Sequence, residues 1–251
     1  SGLHCNPYLI VAGDEAVLID GGSRPDFPIV MMKILQSGIA PGNIKALIYH
    51  HYDPDLVGSI QTFEDLICDP ELRIISDKEN NMFIRHYSVS SPLLSLEAVD
   101  HCYRFSSGRT LRFINTPYSH SPGSFITFDE KSGILFTSDL FGSYGKKWDL
   151  YLRLDQQCRD CENFSPCPHG RPYCPLSDIQ QFHRKIMTSG RALRLAMARM
   201  NQIPCTMMAP QHGSIITEAA DIRFLQSLLK SMTEVGIDGL REEGVDFDAF
   251  D

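Results

Sequence analysis

The stretch LIYHHYDPDLVGSI, Leu47 to Ile60, opens as an apolar run, passes through histidine and aspartate, and turns apolar again. Upstream, IKALIYH has the β-branched, apolar character of a buried strand, and LVGSIQTFEDLIC downstream has helical spacing. The polar junction therefore lies at the carboxyl end of a strand, on the kind of loop where α/β proteins place their chemistry. It offers His51, Asp53 and Asp55 as metal donors, with His50 and Tyr52 beside them.

Outward from this junction, short strands alternate with helices. PYLIVA and EAVLIDGG read as a hairpin closed at Gly13-Asp14, and DFPIVMMKILQSG reads as a helix that stops at Gly38. ELRIIS is a strand, and a helix is expected between Asp77 and Pro92. TLRFINTPYSH, GSFITFDEKSGILFTSD and TMMAPQHGSII read as strands or hairpins, each ending in a loop that holds His or Asp. IQQFHRKIMTSGRALRLAMARMNQ is predicted as one long helical stretch, and EAADIRFLQSLLKSMTEVG as the closing helix. The expected class is α/β, one domain over residues 1–251, with a Cys-rich insertion at 155–176 and a tail or linker at 240–251.

Strand ends read in order add His120 in TPYSHSPGS, Asp139 in LFTSDLFGS and His212 in APQHGS to the junction. Each residue has an ordinary alternative: Asp55 as a helix cap, Asp53-Pro54 as a turn, Asp139 as a strand-end turn residue, and the histidines as satisfied loop residues. Coincidence explains one such loop better than it explains the series. Gly or Ser follows each of them closely, which lets the backbone pass near a buried ion.

The series HxDxD, HSPG, a lone Asp after an apolar strand, then PQHG resembles the metallo-β-lactamase fold, an αββα sandwich with two metals at one edge. Hydrolases of that fold carry a second imidazole where Asp53 stands. HHYDPD, TPYSHSPGSF, LFTSDLFGSYG, FHRKIM and APQHGSII are similar instead to the oxygen-binding di-iron proteins, flavin-free relatives of the flavodiiron proteins. The resemblance implies His51, Asp53 and His120 on one iron, Asp55 and His212 on the other, and Asp139 between them. It further implies an oxide- or peroxide-bridged pair when oxidised. Leu56 departs from the pattern, which often has a histidine there, and so implies an open place for a small ligand such as O2. His50, Tyr52, His86, Tyr87 and Tyr118 are candidates to fill that gap or to donate a hydrogen bond, with His86, Tyr52 and Tyr118 retained as outer neighbours and packing as their ordinary reading. A mixed set of imidazoles and carboxylates suits iron, whose higher oxidation state anionic oxygen stabilises, better than catalytic zinc.

Composition sets the outer bounds. The net charge is −8 and Lys and Arg are scattered, so no basic field exists for nucleic acid. No apolar run approaches bilayer length and no secretory signal opens the chain, so a cytoplasmic location without membrane contact is expected. No Gly-rich phosphate loop follows a strand, and no residues remain for a flavin domain. Both ends read as cut points in a longer chain, which fits a sensory module with a fused output domain; a homodimer is expected. The expected ligand is O2, with NO or peroxide as alternatives. An enzyme reducing these with a separate electron donor is the competing reading, and a dizinc hydrolase the third.

CRDCENFSPCPHGRPYC, Cys158 to Cys174, spaces its thiols C-x2-C-x5-C-x6-C. Cys158, Cys161, Cys167 and Cys174 are expected to hold structural zinc or, second, an iron–sulfur cluster, with unligated thiols as the ordinary alternative. Cys5, Cys68, Cys102 and Cys205 read as small core residues.

Overall fold

In the computed structural model the described residues are 4–87, 90–144, 148–161, 167, 170 and 174–240. The first half of the chain builds a sheet from β1 (Tyr8–Ala12), β2 (Glu15–Ile19), β3 (Ile44–Ile48), β4 (Arg73–Ile75) and β5 (Leu93–Leu94), hydrogen-bonded in that order. β1 and β2 form the expected hairpin, and β2 to β5 run parallel. Helices α1 (Phe27–Gln36), α2 (Pro54–Val57), α3 (Ile60–Ile67) and α4 (Lys78–Ile84) connect them. The second sheet contains β6 (Cys102–Arg104), β7 (Thr110–Asn115), β8 (Phe125–Asp129), β9 (Ile134–Phe136), β10 (Tyr151–Leu152), β11 (Met207–Ala209) and β12 (Ile215–Ile216), in the order β10-β12-β11-β9-β8-β7-β6. Between β10 and β11 lie α5 (Gln156–Arg159), α6 (Pro175–Ile186) and α7 (Gly190–Met200); α8 (Ala219–Ser231) follows β12.

Strand alternation produces the layers. Leu18, Leu47 and Ile74 point to a helix layer that holds Met31, Ile34, Leu56, Phe63 and Ile67. Their strand neighbours Val17, Ile19, Ala46, Ile48 and Ile75 point the other way and meet Leu111, Phe113, Phe125, Phe136 and Ala209 of the second sheet. That sheet's outer face, with Ile126, Phe128, Leu135 and Met208, packs on Leu176, Phe182, Leu193, Met197, Leu225 and Leu229. Each fully buried aliphatic or aromatic side chain here is worth roughly 1.5–3 kcal/mol of transfer free energy. The result is the αββα sandwich.

Two helix expectations need correction. The stretch predicted as one helix over Ile179–Gln202 breaks at Met187–Ser189: Met187 turns extended at ψ 145°, and Ser189 caps α7 by accepting from the Ala192 amide at 3.2 Å. The run from Leu56 likewise divides after Val57 into α2 and α3. Cys102 is buried and Cys5 and Cys205 half-buried, but Cys68 is exposed at the end of α3, contrary to its reading as a core residue. No helix among the described residues is long and apolar enough to cross a membrane.

Candidate metal centre

β7 and β9 each pair antiparallel with β8, and β11 pairs parallel with β9, so β7, β9 and β11 run in one direction. The loops after β3, β7, β9 and β11 carry the predicted donors, and the sandwich brings these loops together. Asp53 stands at the N-cap of α2, ahead of Pro54, yet its carboxylate makes no cap bond. It lies instead 2.8 Å from His120 Nε2 and 3.9 Å from His51 Nε2. His212 Nε2 is 3.4 Å from both Asp55 Oδ2 and Asp139 Oδ1, and that Asp139 oxygen is 3.9 Å from His51 Nε2. Among the described residues, the donor atoms of His51, His120 and Asp139 lie within 4.8 Å of one another.

The site has a floor and a mouth. Side chains of His51, His212 and Asp139 are 1%, 2% and 4% exposed, whereas Asp53 and Asp55 are 33% and 30% exposed. Each imidazole is fixed through its far nitrogen. His51 Nδ1 pairs with Ser138 Oγ at 3.2 Å, His120 Nδ1 donates to the Ile186 carbonyl at 3.3 Å, and His212 Nδ1 donates to the His4 carbonyl at 2.7 Å. Such outer bonds set the tautomer and leave Nε2 as the inward-facing donor. Asp139 Oδ1 is buried and has no hydrogen-bond partner. A buried carboxylate oxygen left without a hydrogen bond is costly, and a cation set among these donors would relieve it. The residues thus fit a metal pair.

Proton affinities reflect the same crowding. Burial alone would lower the His120 pKa, but the Asp53 hydrogen bond and the Asp139 charge override it and push His120 up to about 9. Burial is likewise overridden at His212, which is raised by the Asp139 carboxylate beside it. Asp139 is fully desolvated, yet the surrounding histidines hold it well below the carboxylate range. Asp55, where burial dominates, is raised, and Asp53, where His120 outweighs burial, is lowered.

Other predicted neighbours fall elsewhere. His50 is buried in a link between the sheets, with Nδ1 2.7 Å from Asp20 Oδ2 and Nε2 2.9 Å from Thr127 Oγ1. Tyr52 stacks on Phe83 and joins the helix-side core, as does Tyr87. Tyr118 is 55% exposed on the His120 loop, and His86 is exposed on the turn after α4. Leu56 is wholly buried in the helix-side core and supplies no donor.

The sequence reading missed three supports. Asn80 Nδ2 donates to the His50 and Gly123 carbonyls at 3.2 and 2.8 Å, tying the β3 loop to the His120 loop. A side chain at Gly123 would overlap Asn80, which accounts for glycine in HSPG. His183, fully buried, donates from Nδ1 to the Ile179 carbonyl at 2.7 Å and accepts the Phe141 amide on Nε2 at 2.9 Å, bracing the turn that follows Asp139. Burial lowers its pKa to about 4. Asn6 donates to the Gln211, Pro210 and Gly213 carbonyls around His212. FHRKIM carried the only sequence signal for any of these.

Cys158 is buried, and Cys161 and Cys174 pack against the same outer core. Cys158, Cys167 and Cys174 line a cavity of about 370 Å³. The four thiols do not form a cluster of the tightness seen at His51, His120 and Asp139 among the described residues. Residues 162–166, 168–169 and 171–173 of the insertion and 241–251 of the tail lie outside the described residues.

Comparison with known proteins places this arrangement. A putative diflavin flavoprotein A 1 from Nostoc sp. strain PCC 7120 is 27% identical over 218 residues, 86% of this chain and 34% of the relative. The chain thus spans about a third of the length of the diflavin flavoproteins it matches. A solved structure described as a peroxy diiron species of the chemotaxis sensor ODP superposes with a TM-score of 0.74 at 22% identity, covering 94% of this chain and 90% of that one. The apo state of chemotaxis sensor ODP from T. denticola gives 0.73 at 23%, covering 92% and 86%. At such identities these likenesses establish the fold, that of the metallo-β-lactamases. The match to the family described as ODP family beta lactamase runs over residues 3–213 and so takes in all four donor-bearing loops, from which it follows that the chain belongs to the ODP family of beta-lactamase domains.

Proposed function

We propose that this chain is a non-haem di-iron domain that binds O2 and holds it as a signal. The observation that carries the proposal is Asp139 Oδ1, buried without a hydrogen bond and lying between His51 and His212. His51, Asp53 and His120 would hold one iron, Asp55 and His212 the other, with Asp139 shared. Two ferrous ions would supply O2 with two electrons at one place. The chain's own residues fix the imidazole tautomers, offset the cationic charge with three carboxylates and bury the floor from water. Leu56 brings no donor, so the Asp55–His212 half would have fewer protein ligands and could take a small molecule.

The structure described as a peroxy diiron species of a chemotaxis sensor supports O2 as ligand and sensing as role. A fused output domain and a homodimeric assembly belong to this reading. The diflavin flavoproteins favour a second one, reduction of O2, NO or peroxide with electrons from a separate donor. Separately, the spacing of Cys158, Cys161, Cys167 and Cys174 supports a structural zinc or iron–sulfur site that a bound metal would draw together.

The test begins with protein loaded anaerobically with iron(II), in which mass spectrometry should find about two irons per chain, as the ligand set requires. Zinc in their place would favour a hydrolase. Stopped-flow mixing with oxygenated buffer should give an absorption change that decays slowly, with little O2 consumed when a generic reductase is present. Sustained consumption would favour the reductase, and an iron-loaded protein without any spectral change would overturn both.

A further inference from the structure

The break between α6 and α7, where continuous helix was expected, is the place from which His120 is held. His120 and Tyr118 have φ of +97° and +61°, a region that residues with a β-carbon keep only under outside constraint. Two bonds from the break supply it. The Ile186 carbonyl accepts from His120 Nδ1, and Thr188 Oγ1 donates to the Tyr118 carbonyl at 2.7 Å.

The outer side of the same break is gripped by residues 236–238. The Gly236 amide donates to the Arg184 carbonyl at 2.8 Å, the Ile237 amide to the Thr188 carbonyl at 3.0 Å, and Asp238 Oδ2 accepts the Gly190 amide at 2.8 Å. Gly236 bridges to Ser189 as an isolated β-pair, at φ +56°. A methyl group there would overlap the carbonyl oxygens of Met187 and Thr188, so the approach is open only to glycine. The segment is anchored at Val235, fully buried in the outer core, while Ile237 and Leu240 are 66% and 59% exposed. Hydrogen bonds linked through short stretches of backbone at the break and at residues 118–120 therefore join a surface segment to an inward-facing histidine.

We propose that residues 186–188 are a positioning element for His120 whose placement the 236–238 segment sets from outside, so that occupancy of the metal centre and docking of this segment are reciprocally coupled. The inference rests on the di-metal reading of the site. Reciprocity follows from linkage: if metal binding through His120 favours one placement of the break, holding the break in that placement favours metal by the same factor. His212, held through the His4 carbonyl, lies outside this path.

The experiment uses the whole chain with iron(II), and cobalt(II) as a coloured probe. Thr188→Val keeps the shape and removes the hydroxyl; it should weaken metal binding roughly tenfold and shift the cobalt ligand-field band, as loss of an outer support of a ligating histidine does. Thr188→Ser should restore both. In hydrogen exchange, metal loading should slow the Gly236 and Ile237 amides at least fivefold more than the Ala12 and Glu15 amides of the distant β1–β2 hairpin. Thr188→Val should abolish that excess, and a melting curve will show that the variant is folded. A protein that binds metal but shows the same affinity and band in Thr188→Val, or no excess slowing at Gly236 and Ile237, overturns the coupling. A protein that binds neither metal overturns the di-metal reading itself.

Discussion

Two regions of this chain are rich in metal donors, and the fold treats them oppositely. His51, Asp53, Asp55, His120, Asp139 and His212 are scattered through most of the sequence, yet they meet because β3, β7, β9 and β11 deliver their loops to one edge of the sandwich. Cys158, Cys161, Cys167 and Cys174 lie within one short run; Cys158, Cys161 and Cys174 pack against the outer core, and among the described residues no three of these thiols meet as closely as the donors of His51, His120 and Asp139. The first set is gathered by strands packed on both faces, whose ends the core holds in place.

The comparison is tested most severely at Asp139. Asp139→Ala should stay folded, since its Oδ1 makes no hydrogen bond, but should retain at most about one iron per chain. Retention of both, with an unchanged spectrum, would remove Asp139 from the centre.

Metal binding at this centre must also displace protons. With His120 at about 9 in the metal-free chain, its proton must leave before a metal can bind at neutral pH. Iron(II) affinity should rise about tenfold per pH unit from 6 to 8, and more steeply if the raised His212 also gives up a proton. An isothermal titration series that is flat over this range would contradict it.

The scaffold of the Asp139 turn should weaken in the same direction, over a lower pH range. His183 falls from 6.5 to about 4 on folding, so the unfolded chain binds the extra proton between those values. Stability should be full above pH 6.5 and decline by about 3 kcal/mol as pH drops towards 4. Urea unfolding should show a shallower decline in His183→Gln.

The smallest effect is expected in the cysteine run. Replacing Cys158 and Cys161 by Ser should leave iron at its original level and cost about 1 kcal/mol from the buried Cys158 contact. In zinc-supplemented protein it should also remove about one zinc equivalent. Loss of iron would mean that the two regions are connected.

How much of this was legible in advance follows from which forces act locally. The strands LIVA, ALI and FITF were readable as short apolar runs because each buries opposite faces in different layers. The donors were readable because they sit at strand ends beside small residues. The break at Met187–Ser189 was hidden, since Ser189 looks like any helix serine until Gly236 is packed against it. Asn6, Asn80 and His183 were hidden for the same reason: their partners are brought to them only by the tertiary fold. His50 and His51 could not be told apart by type, and only the placement of Asp20 and Thr127 commits one to the sheet interior.

The direction shared by β7, β9 and β11 has a second consequence, at the far rim. The turns that feed the site-directed strands, around Gly13, Ser106–Gly108 and Glu130–Lys131, are exposed and lie at the edge away from every donor. The domain thus has a handle opposite its working end. A fluorophore or tether grafted at Ser107, where the backbone already turns in solvent, should report on or anchor the protein without touching the centre.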